Sequence, residues 1–324
     1  MQLAFDADQR DLFDAFEQFF SRESPPSVAR AAEPLGFDAA LWRKLGAMEV
    51  WGSGASVADL AVIAEVAGRW IAPVPFVEHA VASRALGLTD GEQIATIAMR
   101  PAVDGVWRLV PAGALAHHVV GLVGSEIEVV GTEPIMVAPR NHASAPIADR
   151  SAAGGTPMDI DFDRVRAEWK VLTASSLVGI SARALEMAVE YVQQREQFGV
   201  PIGTFQAVQH GLADLPGMID GARLLVHEAA GALDSMQPGN DDPDRNDDPD
   251  RNDYGDPVTL ASMAFVFASD VAAHATDRAL HFHGGYGFAE EYDIQLYYRR
   301  ARGWSLINGD PAAECVVLAD RLWG

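Results

Sequence analysis

The sequence predicts a mainly α-helical protein with a small β domain in its middle. Three observations carry that prediction. Apolar residues recur at helical spacing through the first 85 residues, short β-branched runs follow, and broad apolar stripes return from Val171 onward. The expected organisation is a helical N-terminal domain over 1–85, a reduced β middle domain over 86–160 and a helical bundle over 161–324.

The opening helix is signalled by Asp6 with Gln9 three residues later, a capping box, followed by Leu12, Phe13, Phe16, Phe19 and Phe20 on one face. Further helices are expected around Ala39 to Leu45 and Val57 to Trp70, and the run Ala72-Pro73-Val74-Pro75 breaks the helical texture. In the middle domain Ile94–Ile97, Val119–Val123 and Ile127–Val130 read as short strands, because β-branched side chains fit a pleated surface and turn residues separate the runs. Ile135-Met136-Val137 reads as a continuing strand. At about 75 residues this domain is short for one that encloses a cofactor.

In the last domain Leu177, Ile180, Ala184, Ala188 and Tyr191 form one stripe, with Val178, Leu185, Val189 and Val192 beside it. A stripe that wide belongs inside a bundle. A second long helix is expected from Ala207, and a third carries Leu260, Ala264, Phe267 and Val271. Between them the hexapeptide Asn240–Arg245 repeats at once as Asn246–Arg251, so 238–256 reads as a polar, solvated insertion. A calcium loop is disfavoured, since the glycine turn and the terminal bidentate Glu are missing.

Composition excludes several functions. With 46 acidic against 24 basic residues the formal charge is -22, which repels a phosphate backbone and an anionic membrane surface. No uninterrupted apolar run approaches the roughly 18 residues that cross a bilayer, and the acidic start of the chain has no signal core, so a cytoplasmic location is expected. Cys315 is the single cysteine, which rules out an intrachain disulfide and a cysteine-built zinc site; its apolar setting predicts a small buried hydrophobe.

The chemistry-bearing stretches are Arg195-Glu196-Gln197-Phe198-Gly199, continued by Pro201–Gln206 and Gln209-His210, and Leu280–Phe288 with Tyr298–Arg302 behind it. Gly285-Tyr286-Gly287 is not a dinucleotide fingerprint, because a helix precedes it and no βαβ unit surrounds it. His281 and His283 make a poor metal pair, since alternate residues face different sides of a helix and no carboxylate cluster joins them. No metal site is expected.

In order and content these two stretches resemble the signatures of the acyl-CoA dehydrogenase C-terminal domain. The resemblance implies a helical N-terminal domain, a β middle domain and a C-terminal four-helix bundle. It also implies FAD and an acyl-CoA substrate oxidised to the 2-enoyl-CoA, with electrons passing to an acceptor such as electron-transfer flavoprotein. By that resemblance Arg195 holds the FAD pyrophosphate across a subunit interface, and the rigid donor fork of a guanidinium suits this task. Gln197 belongs to the same motif, Phe198 packs near the adenosine, and Phe205 and Gln206 complete the wall. Gly284 and Gly285 let the cofactor approach the backbone, and His281 stands where the family usually has Gln.

The resemblance breaks at the catalytic base. Most members carry a glutamate after the arginine-rich segment, where this chain has Leu306-Ile307-Asn308-Gly309-Asp310, and the amide of Asn308 cannot accept a proton. A minority keep the base 26 residues before the signature arginine, which here is Trp169. Glu168 and Asp310 remain as displaced candidates, although a step of one residue turns a helical side chain by about 100°. The flavin-supporting loop has no counterpart either, and Thr132-Glu133-Pro134 is an accidental match.

This asymmetry resembles the short subunits of heteromeric α2β2 acyl-CoA dehydrogenases of bacterial steroid degradation, where a full-length partner subunit supplies the base and most of the flavin pocket. Two alternatives stay open: a homomeric flavoprotein with a displaced base, and a scaffold subunit without catalysis.

Overall fold

The computed structural model describes residues 6–48, 50–51, 54–89, 91–236 and 255–324. The tandem hexapeptide lies outside the described residues.

Helices α1 (Ala7–Glu23), α2 (Pro26–Ala31), α3 (Ala39–Gly46), α4 (Val57–Arg69) and α5 (Phe76–Leu86) form the N-terminal part. The capping box of α1 is made in full, with Gln9 N donating to Asp6 Oδ1 at 2.8 Å and Asp6 N donating to Gln9 Oε1 at 3.3 Å. Phe16, Phe19 and Phe20 are its buried face. Aspartates cap α3 as well, and recur at Asp161, Asp256 and Asp310 before later helices, so part of the acidic excess neutralises helix starts.

The middle region holds β1 (Ala95–Ala98), β2 (Val106–Val110), β3 (His118–Val123), β4 (Glu126–Gly131), β5 (Ala148–Ser151) and β6 (Thr156–Pro157). One sheet runs β1-β3-β4-β6, with β1 parallel to β3 and the other pairs antiparallel; β2 and β5 pair separately. Trp107 anchors a small core of its own with Val110, Val119 and Val130, and its indole donates to Leu122 O at 2.9 Å. Ile135-Met136-Val137 is not a strand. The segment is irregular, with Met136 at φ 52°, and all three side chains are exposed because no neighbouring strand offers a ladder.

The C-terminal part contains α6 (Phe162–Gln194), a hairpin of β7 (Glu196–Gln197) and β8 (Val200–Pro201), then α7 (Gln206–Ala213), α8 (Leu215–Asp234), α9 (Pro257–His283), α10 (Ile294–Ser305) and α11 (Pro311–Trp323). The helix expected from Ala207 is divided at Asp214, because Pro216 in the first turn of α8 cannot donate to the preceding turn. From Ala167 to Ser181 every residue of α6 is buried, since α4 and α5 cover one side and α9 the other. Both α6 and α9 are long and apolar enough to cross a membrane, but most of each apolar window is buried in the protein.

Where α4 crosses α6 the backbones nearly touch. A Cβ on Gly68 would stand 2.0 Å from Ser176 O, and one on Gly179 would stand 1.9 Å from Glu65 O. Ser175 Oγ seals the same crossing by donating to Ala61 O at 2.6 Å.

Cys315 is exposed, against expectation. Helix α11 buries none of its residues fully and leaves Val316, Val317 and Trp323 open, so its apolar stretch covers an outer surface rather than a core. What fastens α11 is polar: Lys170 of α6 pairs with Glu314, and Ser262 of α9 donates to the same carboxylate at 2.7 Å.

Candidate functional site

The two chemistry-bearing stretches meet at the ends of α6 and α9. Helix α6 stops at Arg195, whose backbone turns extended, and the chain reverses through Phe198 at φ 55° and Gly199 at φ 82°. Two consecutive positive φ values are what a two-residue hairpin with the strand twist requires. Ile202 N returns to Arg195 O at 2.8 Å, fixing the arginine at the hairpin base. Helix α9 ends at Gly284, at φ 60°, and a 3-10 turn carries Gly284–Phe288 away.

Between these ends lies an open cleft of about 440 Å3, lined among others by Tyr191, Arg195, Gln197, His283, Gly284 and Gly285. The guanidinium carbon of Arg195 stands 5.3 Å from the centroid of the Tyr286 ring, and Arg195 forms no ion pair among the described residues. A Cβ added at Gly284 or Gly285 would meet nothing within 4 Å, so the cleft wall there is bare backbone facing open space.

Tyr191 stacks on His283 at 4.2 Å and 22°, and its hydroxyl donates to His283 O at 3.4 Å. His283 is buried, with Nδ1 2.7 Å from Ala279 O. A carbonyl can only accept, so Nδ1 carries the proton and Nε2 of the neutral ring is an acceptor. Burial lowers the His283 pKa and keeps that neutral form.

The other residues named from the motifs lie outside the lining of this cleft. Phe198 is 94% exposed at the hairpin tip and meets Phe205 edge-on at 6.4 Å. Phe205 and Gln206 begin α7, and Gln206 is exposed. His281 faces solvent, two residues and half a helical turn from the buried His283. Tyr191, His283 and Tyr286 were not singled out as binding residues. Tyr191 precedes Arg195 by one helical turn, which was the available signal.

The candidate bases are held elsewhere. Glu168 is 6% exposed and clamped by Arg164 Nε at 3.1 Å and Arg84 Nε at 3.4 Å. Asp310 caps α11 by accepting from Ala312 N at 2.9 Å and faces a groove between α9, α10 and α11. Asn308 lies in the turn between α10 and α11, where Arg100 donates to its backbone oxygen at 3.2 Å. Trp169 is fully buried and lines a separate cavity.

Residues 168–323 match the family model described as acyl-CoA dehydrogenase, C-terminal domain. Over nearly the whole length the chain is similar to acyl-CoA dehydrogenase IpdE2 of Mycolicibacterium smegmatis, at 28% identity over 332 residues, covering 95% of this chain and 97% of that protein. In fold it is similar to the ChsE4-ChsE5 complex from Mycobacterium tuberculosis, with TM-score 0.81, 20% identity and 99% of both chains covered. It is also similar to the Tcur3481-Tcur3483 steroid acyl-CoA dehydrogenase G363A variant, with TM-score 0.80, 22% identity and 97% of both chains covered.

Proposed function

The chain belongs to the acyl-CoA dehydrogenase family, oxidoreductases that act on CH–CH bonds, and from that premise we propose that it is the short subunit of a two-chain enzyme. In this reading it contributes one wall of a shared FAD site, while a full-length partner subunit contributes the base and the substrate pocket. The product is a 2-enoyl-CoA, and an external acceptor such as electron-transfer flavoprotein removes the electrons. Similarity to the ChsE4-ChsE5 complex and to a steroid acyl-CoA dehydrogenase supports a two-chain assembly and a bulky, steroid-derived acyl group.

The observation that carries the reading is a guanidinium that has no carboxylate partner among the described residues and shares one cleft with two bare glycines. That donor set fits a pyrophosphate: Arg195 offers a charged fork, and unobstructed backbone at Gly284 and Gly285 permits close approach. Tyr286 meets the arginine in a cation–π contact, which favours its placement over the ring in the cleft. When bound, FAD supplies the acceptor for the hydride that leaves the β-carbon.

Proton abstraction at the α-carbon needs a free carboxylate. Glu168 is engaged by two arginines and Asp310 caps a helix, so neither is a free carboxylate. This supports assigning the base to the partner and disfavours the homomeric reading. The decisive experiment measures flavin per polypeptide for the chain alone and with its full-length partner. Flavin acquired only with the partner supports the shared site. About one FAD per chain in a homo-oligomer overturns it, and unchanged flavin and activity after Arg195→Ala in the complex would leave a scaffold.

A further inference from the structure

His283 brings an acceptor into a cleft whose charged group is a donor. The residue is 5% exposed, yet it lines the opening between the ends of α6 and α9 together with Arg195, Gly284 and Gly285. Two contacts fix its imidazole. Tyr191 stacks against it at 4.2 Å, and Nδ1 is 2.7 Å from Ala279 O, one helical turn back. That carbonyl takes up the Nδ1 proton, so the other nitrogen, Nε2, carries a lone pair. No hydrogen bond reaches Nε2 among the described residues, and it is not one of the buried nitrogens sealed from solvent. It opens to the cleft that the residue lines.

A lone pair at this point does not suit phosphate oxygens, which can only accept. The ring could answer them by taking a proton, but burial outweighs the Ala279 hydrogen bond and holds the His283 pKa below its ordinary value. A ligand that fills the cleft therefore has to bring an O–H or N–H of its own to Nε2. On a diphosphate ester the first such group outward from phosphorus is a hydroxyl of the esterified sugar or sugar alcohol, and the N–H groups of a base lie farther out.

We propose that His283 Nε2 accepts a hydrogen bond from a hydroxyl of the sugar chain esterified to the bound diphosphate, which makes the cleft selective for sugar-bearing diphosphates over pyrophosphate alone. The inference rests on the reading of the Arg195 cleft as a diphosphate site and divides the labour within it. Arg195 supplies the charge, which any diphosphate satisfies, and His283 supplies the discrimination. A flavin dinucleotide offers two chains of this chemistry, the ribose on its adenine side and the ribityl chain on its flavin side.

The test uses the full chain with two pairs of probes, ADP against 2′,3′-dideoxy-ADP and ribitol 5-diphosphate against pentyl diphosphate, alongside inorganic pyrophosphate. The hydroxylated member of a pair is expected to bind about 5- to 10-fold tighter, one hydrogen bond's worth. A preference in the first pair assigns the ribose, and a preference in the second pair alone assigns the ribityl chain. His283→Phe keeps a ring against Tyr191 and removes the acceptor, so it should bring the preference toward parity and leave pyrophosphate affinity little changed. In the unmodified chain the Nε2 nitrogen resonance should move further with the hydroxylated probe than with its mate, a readout that a variant failing to fold does not blunt. Equal affinity within both pairs, a preference that survives His283→Phe, or an equal response at Nε2 overturns the proposal. The two readings fail separately. Pyrophosphate that binds and is weakened by Arg195→Ala, without any hydroxyl preference, sinks only the His283 contact, whereas no binding of pyrophosphate or ADP removes the diphosphate reading as well.

Discussion

Arg195 at the end of α6 and Tyr286 beyond the end of α9 meet with guanidinium over ring at 5.3 Å, joining two motifs that lie 91 residues apart in sequence. The contact ties a cation that forms no ion pair among the described residues to an aromatic face in a solvent-open cleft, where a cation–π interaction contributes about 0.5–1 kcal/mol. Its value is orientation more than stability.

Arg195→Lys should therefore behave unlike a conservative change. Lysine keeps the charge and loses the planar fork, so in the assembled complex flavin retention should fall at least about tenfold, while the melting temperature of the isolated chain should hardly move. Tyr286→Leu should give a weaker loss in the same direction. Equilibrium flavin release, followed by fluorescence, reads both.

Gly68→Ala or Gly179→Ala should destabilise the fold by about 1–3 kcal/mol or more, because each added methyl meets a carbonyl oxygen of the facing helix. Urea unfolding of the single variants is the measurement. A shift in midpoint below a few tenths of a molar would contradict the tight crossing.

The pH dependence should carry the mark of His227 on α8. Burial, and next the Arg223 charge, lower its pKa from 6.5 to about 4. A base depressed on folding favours the folded state above its unfolded pKa, and that contribution is lost as pH falls toward the folded value. Stability should decline from pH 6.5 toward 4, and His227→Gln should flatten this part of the profile.

Helix α11 should loosen at still lower pH. Burial raises the Glu314 pKa, but hydrogen bonds from Lys170 and Ser262 outweigh it and hold the carboxyl below 4.5. The contribution is present above 4.5 and is lost as pH falls through the lowered value. Amide exchange in 311–323 should rise there before the rest of the bundle opens, and Glu314→Gln should show the faster exchange already at neutral pH.

Much of this architecture was legible because local signals agreed with the long-range packing. Asp6 and Gln9 announce α1, the phenylalanines name its buried face, and the valine runs at 119–123 and 127–130 become β3 and β4. Arg195, Gln197, Gly284 and Gly285 could be named because the stretches that carry them resemble the signatures of the acyl-CoA dehydrogenase C-terminal domain. Apolar content misled twice. Ile135-Met136-Val137 and the surroundings of Cys315 look like core but lie on surfaces, since sequence pattern cannot say whether a neighbouring element covers them.

The crossing of α4 and α6 also limits how this sequence can drift. Gly68 abuts the carbonyl of Ser176, and Gly179 abuts that of Glu65, so enlarging one position leaves the other still locked. Either glycine alone therefore sets the distance between the two helices, whatever stands at the other.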